Sequence, residues 1–111
     1  MEGKDKFYDV RPHEVFEAWF KRLKKRDSMA HAKIFDRLTR IEDEGHFGEC
    51  RHIDGKVWEL KFRWGPGYRV YYMWHECMVV ILLCGGNKAG QVRDIEMAKQ
   101  LSEEVQSAEN A

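Results

Sequence analysis

Val57-Trp58-Glu59-Leu60-Lys61-Phe62-Arg63 is the stretch whose reading decides the fold. Apolar Trp58, Leu60 and Phe62 alternate with charged Glu59, Lys61 and Arg63. That period of two belongs to a β-strand with one face in a core. Gly65-Pro66-Gly67 follows as a turn by composition. Tyr68–Trp74 reads as a second, aromatic strand, and Glu76-Cys77 as the next turn. Met78–Cys84 is a continuous apolar run, the pattern of a strand covered on both faces. Three strands at this spacing with short turns predict an antiparallel meander, which Gly85-Gly86 ends as a turn.

Upstream of the meander the period is that of a helix. Val15, Phe16, Trp19, Phe20 and Leu23 recur at spacings of three and four between His13 and Arg26, opposite Glu17, Lys21, Lys24 and Lys25. This stripe reads as core. Asp27-Ser28 is a break and a cap for a second helix, to about Asp43, carried by Ala30, Ile34, Leu38 and Ile41. Two amphipathic helices with so short a link predict an antiparallel hairpin. Before them, Lys6–Arg11 alternates weakly and reads as a first strand broken by Pro12. The residues around Gly45 and Gly48 read as a loop. After the meander, Val92, Ile95, Ala98, Leu101 and Val105 predict a last helix from about Gln91 to Val105, with a frayed tail over Gln106–Ala111. The order β-α-α-β-β-β-α predicts an α+β domain, an antiparallel sheet packed against an N-terminal helical hairpin, with a C-terminal helix. One face of the sheet is expected to stay partly open and to carry the site.

Composition fits one domain over residues 1–111, with its ordered core over about 6–105. The 111 residues, 43% hydrophobic with 14 aromatics, are enough to build a core. No stretch is long and apolar enough to predict a membrane span, and the N-terminus lacks the apolar segment of a secretory signal. Three cysteines without a C-x-x-C spacing argue against disulfides and structural zinc, and for free thiols in a reducing cytoplasm. Net charge is zero, which excludes a generic basic nucleic-acid coat. The charge is nevertheless regional. Residues 51–94 carry seven basic and four acidic side chains, whereas residues 41–50 carry four acids and no base.

Glu59, Lys61 and Arg63 share a strand face. An antiparallel neighbour brings Arg69 or Tyr71 beside them, and Lys88 follows the third strand of the meander. A cluster of Arg and Lys can hold a phosphodiester, and aromatics beside it can stack unpaired bases. RNA cleavage needs a base for the ribose 2′-hydroxyl, cations for the phosphate and an acid for the leaving oxygen. Glu59 is a candidate base, Arg63 and Arg69 are candidate cations, and Lys61, Lys88 or a tyrosine a candidate acid. Arg69, treated as a solvated side chain, is expected to be replaceable by Ala without loss of stability. The five histidines show no metal-ligand spacing, and His52 is a weaker candidate base. The competing reading is that these charges simply solvate one side of a sheet.

Trp58–Tyr72, Leu82–Lys88 and Arg93–Lys99 together resemble the addiction-module-killer, HigB-like branch of the RelE/ParE toxin superfamily. The resemblance runs from about Tyr8 to Val105. It implies the RelE-like β-α-α-β-β-β-α fold and a toxin of a type II toxin–antitoxin system. The activity it implies is ribosome-dependent, metal-independent cleavage of mRNA, an mRNA interferase that arrests translation. It puts Lys61, Arg63 and Arg69 where RelE-like toxins carry cationic residues on the active face of the sheet; together with the clustering, the candidate catalytic residues are Arg69, Arg63, Lys61, Glu59 and Lys88, the candidate RNA-binding residues are Tyr68, Tyr71 and Arg93, and no metal or other cofactor is expected. Its implied partners are the ribosome, mRNA and a cognate antitoxin, typically of helix-turn-helix type, with no membrane. The chain departs from the branch at Asn87 and Ala89, where a carboxylate and a hydroxyl are usual. ParE-type relatives poison DNA gyrase instead, and the basic run Lys21/Arg22/Lys24/Lys25/Arg26 would serve that alternative. A third reading is a decayed, non-catalytic toxin that still binds its antitoxin.

Overall fold

The computed structural model describes residues 6–110. The elements are β1 (Asp9–Pro12), α1 (Glu14–Arg26), α2 (Ser28–Glu44), β2 (Cys50–Asp54), β3 (Val57–Lys61), β4 (Arg69–His75), β5 (Val79–Gly86) and, after a single 3-10 turn over Lys88–Gly90, α3 (Gln91–Asn110). The strands form one five-stranded sheet in the order β1-β5-β4-β3-β2. β2 to β5 pair antiparallel, and β1 joins β5 in parallel at the edge.

The helix boundaries follow from local chemistry. His13 caps α1, its Nδ1 accepting from the Val15 amide at 3.0 Å, and Asp27 caps α2 by accepting from the Ala30 amide at 3.1 Å. Gly45, at φ 73°, ends α2 in the left-handed conformation that glycine takes at low cost. Asp27 also receives the Tyr68 hydroxyl at 2.9 Å, so the hairpin turn is tied to the start of β4. Pro12 closes β1 at the sheet edge, where its missing N–H interrupts no ladder.

Two apolar cores lie on the two faces of the sheet. On one, Phe16, Leu23, Ile34, Leu38 and Ile41 of the hairpin pack on Leu60, Phe62, Val70, Tyr72 and Leu82. On the other, Ala98 and Leu101 of α3, flanked by Ile95 and Val105, pack on Val57, Tyr71, Met73, Leu83 and Cys84. The second core corrects the expectation of a partly open face. The Ile95/Ala98/Leu101 stripe needs apolar surface, and β4 and β5 supply it.

Three local expectations also change. Cys50–Asp54 is a strand rather than loop. α3 runs on to Asn110 rather than fraying after Val105, and Ala111 lies outside the described residues. Gly85-Gly86 is the end of β5 and not a turn. A Cβ on Gly85 would lie 2.5 Å from the Trp19 ring of α1, and one on Gly86 would overlap Asp94 Oδ2 of α3. Each glycine lets a helix side chain close onto one face of the same strand. No helix among the described residues is long and apolar enough to cross a membrane.

Candidate functional site

Alternation along β3 places Glu59 and Lys61 on the α3 face, and register adds their neighbours. Arg51 of β2 and Tyr71 of β4 flank Glu59, while Arg69 lies directly across from Lys61. On β5, Gly86 stands opposite Arg69. α3 covers the rest of this face but begins only at Gln91, so the polar group gathers where the helix starts.

The floor of the site is buried and charged. Glu59 is 0% exposed and Arg69 5% exposed. Glu59 Oε1 accepts from Arg51 Nε at 2.9 Å, and Oε2 accepts from Gln91 Nε2 at 2.9 Å. Arg69 Nε lies 3.3 Å from Glu59 Oε2 but makes no hydrogen bond of good geometry, while Arg69 Nη1 donates to the Gly67 carbonyl at 3.0 Å. Tyr71, also 0% exposed, has a buried hydroxyl close to Glu59 that makes no hydrogen bond of good geometry. Burial, and then the nearby Glu59 charge, push its phenol well above the ordinary range, so it remains a neutral O–H donor. Unpartnered polar atoms this deep mark either a strained site or one completed by a ligand or water.

The rim is cationic. Arg51 is half exposed beside Glu59, Lys61 half buried, and Lys88 and Arg93 exposed. Lys88 donates its amide to the Pro66 carbonyl at 3.3 Å, which holds the turn before α3 against the β3–β4 turn. With Arg69 the site has five cations against the two carboxylates Glu59 and Asp94. Asp94 belongs to the site although its sequence position in a polar helix turn did not single it out. Its carboxylate lies on the backbone of Gly86, the residue opposite Arg69. Partial burial raises its pKa above the ordinary aspartate value, against a lowering by Arg93.

The remaining sequence-selected residues lie elsewhere. Arg63 is exposed and turned to Glu49, with both Nε and Nη2 at 2.6 Å from the carboxylate oxygens. The two arginines expected to act as a pair therefore have different acid partners, one buried and one in solvent. Tyr68 packs in the hairpin-side core with its hydroxyl on Asp27, and Tyr71 is enclosed under α3, so neither ring offers a free face for stacking. His52 pairs with Trp58 across the ladder, on the opposite face from Glu59, and its Nε2 lies 2.7 Å from the Gly55 carbonyl. Glu59 has both carboxylate oxygens engaged and no surface open to an incoming hydroxyl. The expectation that Arg69 can be cut back without cost is overturned, because its guanidinium is buried against a carboxylate. A group with metal-ligand chemistry, His75, Glu76 and Glu109, sits at the far end of β4 and is remote from these residues in register.

The sequence family described as phage-derived protein Gp49-like (DUF891) matches residues 18–109. The chain belongs to that family. It is a RelE-like, toxin-like family, which fits the mixed sheet and three helices described above. An uncharacterized protein of Haemophilus influenzae is 40% identical over 91 residues, which cover 82% of this chain and 89% of that protein. The family match contains every residue of the Glu59 cluster. A toxin-like family implies an antitoxin as partner.

Proposed function

We propose that this Gp49-like chain is the toxin of a type II toxin–antitoxin pair, of the HigB-like kind, and that it cleaves mRNA on the ribosome without a metal. The observation that carries this reading is the buried Arg69–Glu59–Tyr71 floor ringed by Arg51, Lys61, Lys88 and Arg93. A buried guanidinium with an unpartnered Nε, next to a buried phenol, is a seat of fixed donors for an anion that brings its own acceptors.

In this reading Lys61 and Arg69 take the non-bridging oxygens of one phosphodiester, and buried Tyr71 packs beneath them as part of the floor. Glu59 is a positioning residue that holds Arg69 and Arg51 rather than the base. Asp94, on the backbone of Gly86 and with its proton affinity raised by burial, takes the proton from the ribose 2′-hydroxyl. The O2′–P bond forms, the P–O5′ bond breaks, and a proton from Lys88 or water goes to O5′. The products are a 2′,3′-cyclic phosphate and a 5′-hydroxyl, with no oxidant or reductant involved.

Induced expression in a bacterial host, with transcript 5′ ends mapped, tests the proposal. Growth arrest with new 5′-hydroxyl ends inside coding sequence is the expected result, and Lys61→Gln should reduce both. Arrest with intact transcripts, together with loss of supercoiling activity in a gyrase assay, would favour the ParE-like alternative. Harmless expression with antitoxin binding retained would favour the decayed toxin.

A further inference from the structure

A cleft of about 460 Å³ lies on the hairpin side of the sheet, between α2 and the β3–β4 turn. Lys33, Arg37 and Arg40 line it at positions i, i+4 and i+7 of α2, one stripe of the helix. Phe62 and Trp64 form the facing wall. Lys33 Nζ stands 4.6 Å from the centroid of the Trp64 ring, and Arg37 Cζ stands 4.1 Å from that of Phe62. Arg37 is fixed further by Nη1 donating to the Lys61 carbonyl at 3.2 Å and by its contact with Gly48. The acid in the cleft is Asp36, 3.4 Å from Arg40 with both side chains well exposed, which is weak compensation for three cations.

The cleft lies on the opposite face of the sheet from the Glu59 site, and the end of β3 separates them by the thickness of one strand. Lys61 joins them, its side chain facing Arg69 across the ladder and its carbonyl holding Arg37. Glu49 sits between, bonded to Arg63 and in the field of Lys61 and Arg37, which together hold its carboxyl below the ordinary range. Cations thus run from Arg69 and Lys61, around the end of β3 through Arg63, to Arg37, Lys33 and Arg40. Lys and Arg for phosphates, with a partly exposed indole for a base, are the means by which proteins hold unpaired RNA.

We propose that this cleft is a second RNA-binding subsite, taking a nucleotide of the strand whose phosphodiester lies on the Glu59 site, with its base on Trp64 and its phosphates at Lys33 and Arg40. The subsite rests on the reading of the Glu59 site as an RNA seat, and the test separates the two. The full chain is titrated with two fluorescent, uncleavable 2′-O-methyl oligoribonucleotides, a trimer and a dodecamer. The dodecamer can span both places; the trimer is too short to span them, and on this proposal its tighter seat is the Glu59 site.

Lys33→Gln/Arg40→Gln, both at exposed positions, should weaken dodecamer binding about tenfold. It should flatten the slope of log affinity on log salt by about 1.4, from two lost phosphate contacts at ~0.7 each. Trimer binding should not change. Trp64→Leu should weaken the dodecamer by a similar factor, through lost stacking. Unchanged dodecamer affinity and salt slope in the double variant would overturn the subsite, as would capture of an acidic peptide there with RNA binding unaffected. If Lys61→Gln leaves trimer binding untouched while the double variant loses the dodecamer, the Glu59 reading falls and the cleft stands. If the wild-type chain binds neither oligonucleotide, both fall.

Discussion

Glu59→Met removes the carboxylate that faces Arg51, Arg69 and Gln91 and replaces it with a side chain of similar length. Arg51 is about half exposed and can turn to solvent, and Gln91 sits at the helix start where water reaches it. Arg69 has no such escape, because its side chain is 7% exposed. At the 3.3 Å separation of Arg69 Nε and Glu59 Oε2, an effective dielectric of about 20 gives an attraction of roughly 5 kcal/mol. Desolvation offsets much of that while the pair is intact, but loss of one partner leaves the other charge buried alone. Such breaks cost about 3–5 kcal/mol, a large part of a domain's usual ~5–15 kcal/mol. Glu59→Met/Arg69→Met should recover most of the loss, since apolar side chains of matching size often replace a buried pair at little cost. The assay is urea unfolding followed by tryptophan fluorescence, read as a shift of midpoint at constant slope. A single-variant loss below about 1 kcal/mol, or a double-variant loss equal to the sum of the two singles, would refute the counter-ion role.

Gly85→Ala puts a methyl group 2.5 Å from the Trp19 ring. Overpacking of about 1–3 kcal/mol should exceed the ~0.4–1 kcal/mol gained from a stiffer unfolded chain and lower Tm by several degrees in calorimetry. Asp94 titrates higher in the folded chain than in the unfolded one, so the native state holds the extra proton. Its contribution is therefore fully present below the ordinary aspartate value and is lost as pH rises through the raised one. Asp94→Asn should be more stable than the parent at neutral pH, with the gap closing in acid, while RNA cleavage is lost; denaturant unfolding across pH checks the first and end-mapping the second. Burial pushes the Cys84 thiol up to about 12, whereas Cys77 is exposed. A thiol reagent at mildly alkaline pH should label Cys77 quickly in the native chain and Cys84 only after denaturant, read by peptide mass.

The elements legible in the sequence were those whose periodicity is set by a single buried face. Trp58, Leu60 and Phe62 do point into the hairpin-side core, and Phe16, Leu23, Ile34 and Ile41 meet them there. The opposite register is not simply solvated, because α3 covers much of it. Alternation shows that Glu59, Lys61, Arg69 and Tyr71 share a face, but not whether a helix from later in the chain covers it. The Ile95/Ala98/Leu101 stripe of α3 shows a need for apolar surface without naming which surface. Once α3 is laid on β4 and β5, the residues beneath its start become interior and those beyond it stay wet. Glu59 and Lys61, two residues apart on one strand, therefore have opposite exposures in kind: one fully buried, the other at the rim.

The edge strand β2, which carries no apolar alternation, bears on the chemistry as well. Cys50-Arg51-His52-Ile53-Asp54 is polar, carries a register shift between His52 and Asp54, and lies at the sheet edge, where apolar alternation is not required. Yet β2 supplies Arg51, which engages Glu59 Oε1, and is entered at Glu49, whose carbonyl accepts the Lys61 amide and whose side chain clamps Arg63. Without β2, Glu59 would face Arg69 with one oxygen free, and its carboxylate would be a plausible proton acceptor. With β2 in place both oxygens are engaged, which is why the proposed mechanism assigns proton transfer to Asp94 on α3. The assignment of the base thus turns on an edge strand, and Arg51→Met discriminates. If Arg51 only completes the counter-ion set, the variant loses affinity for RNA while the pH dependence of cleavage still follows Asp94. If freeing Glu59 Oε1 instead brings in a second titrating group, the acidic limb of the cleavage profile will move, and the base belongs on β3 after all.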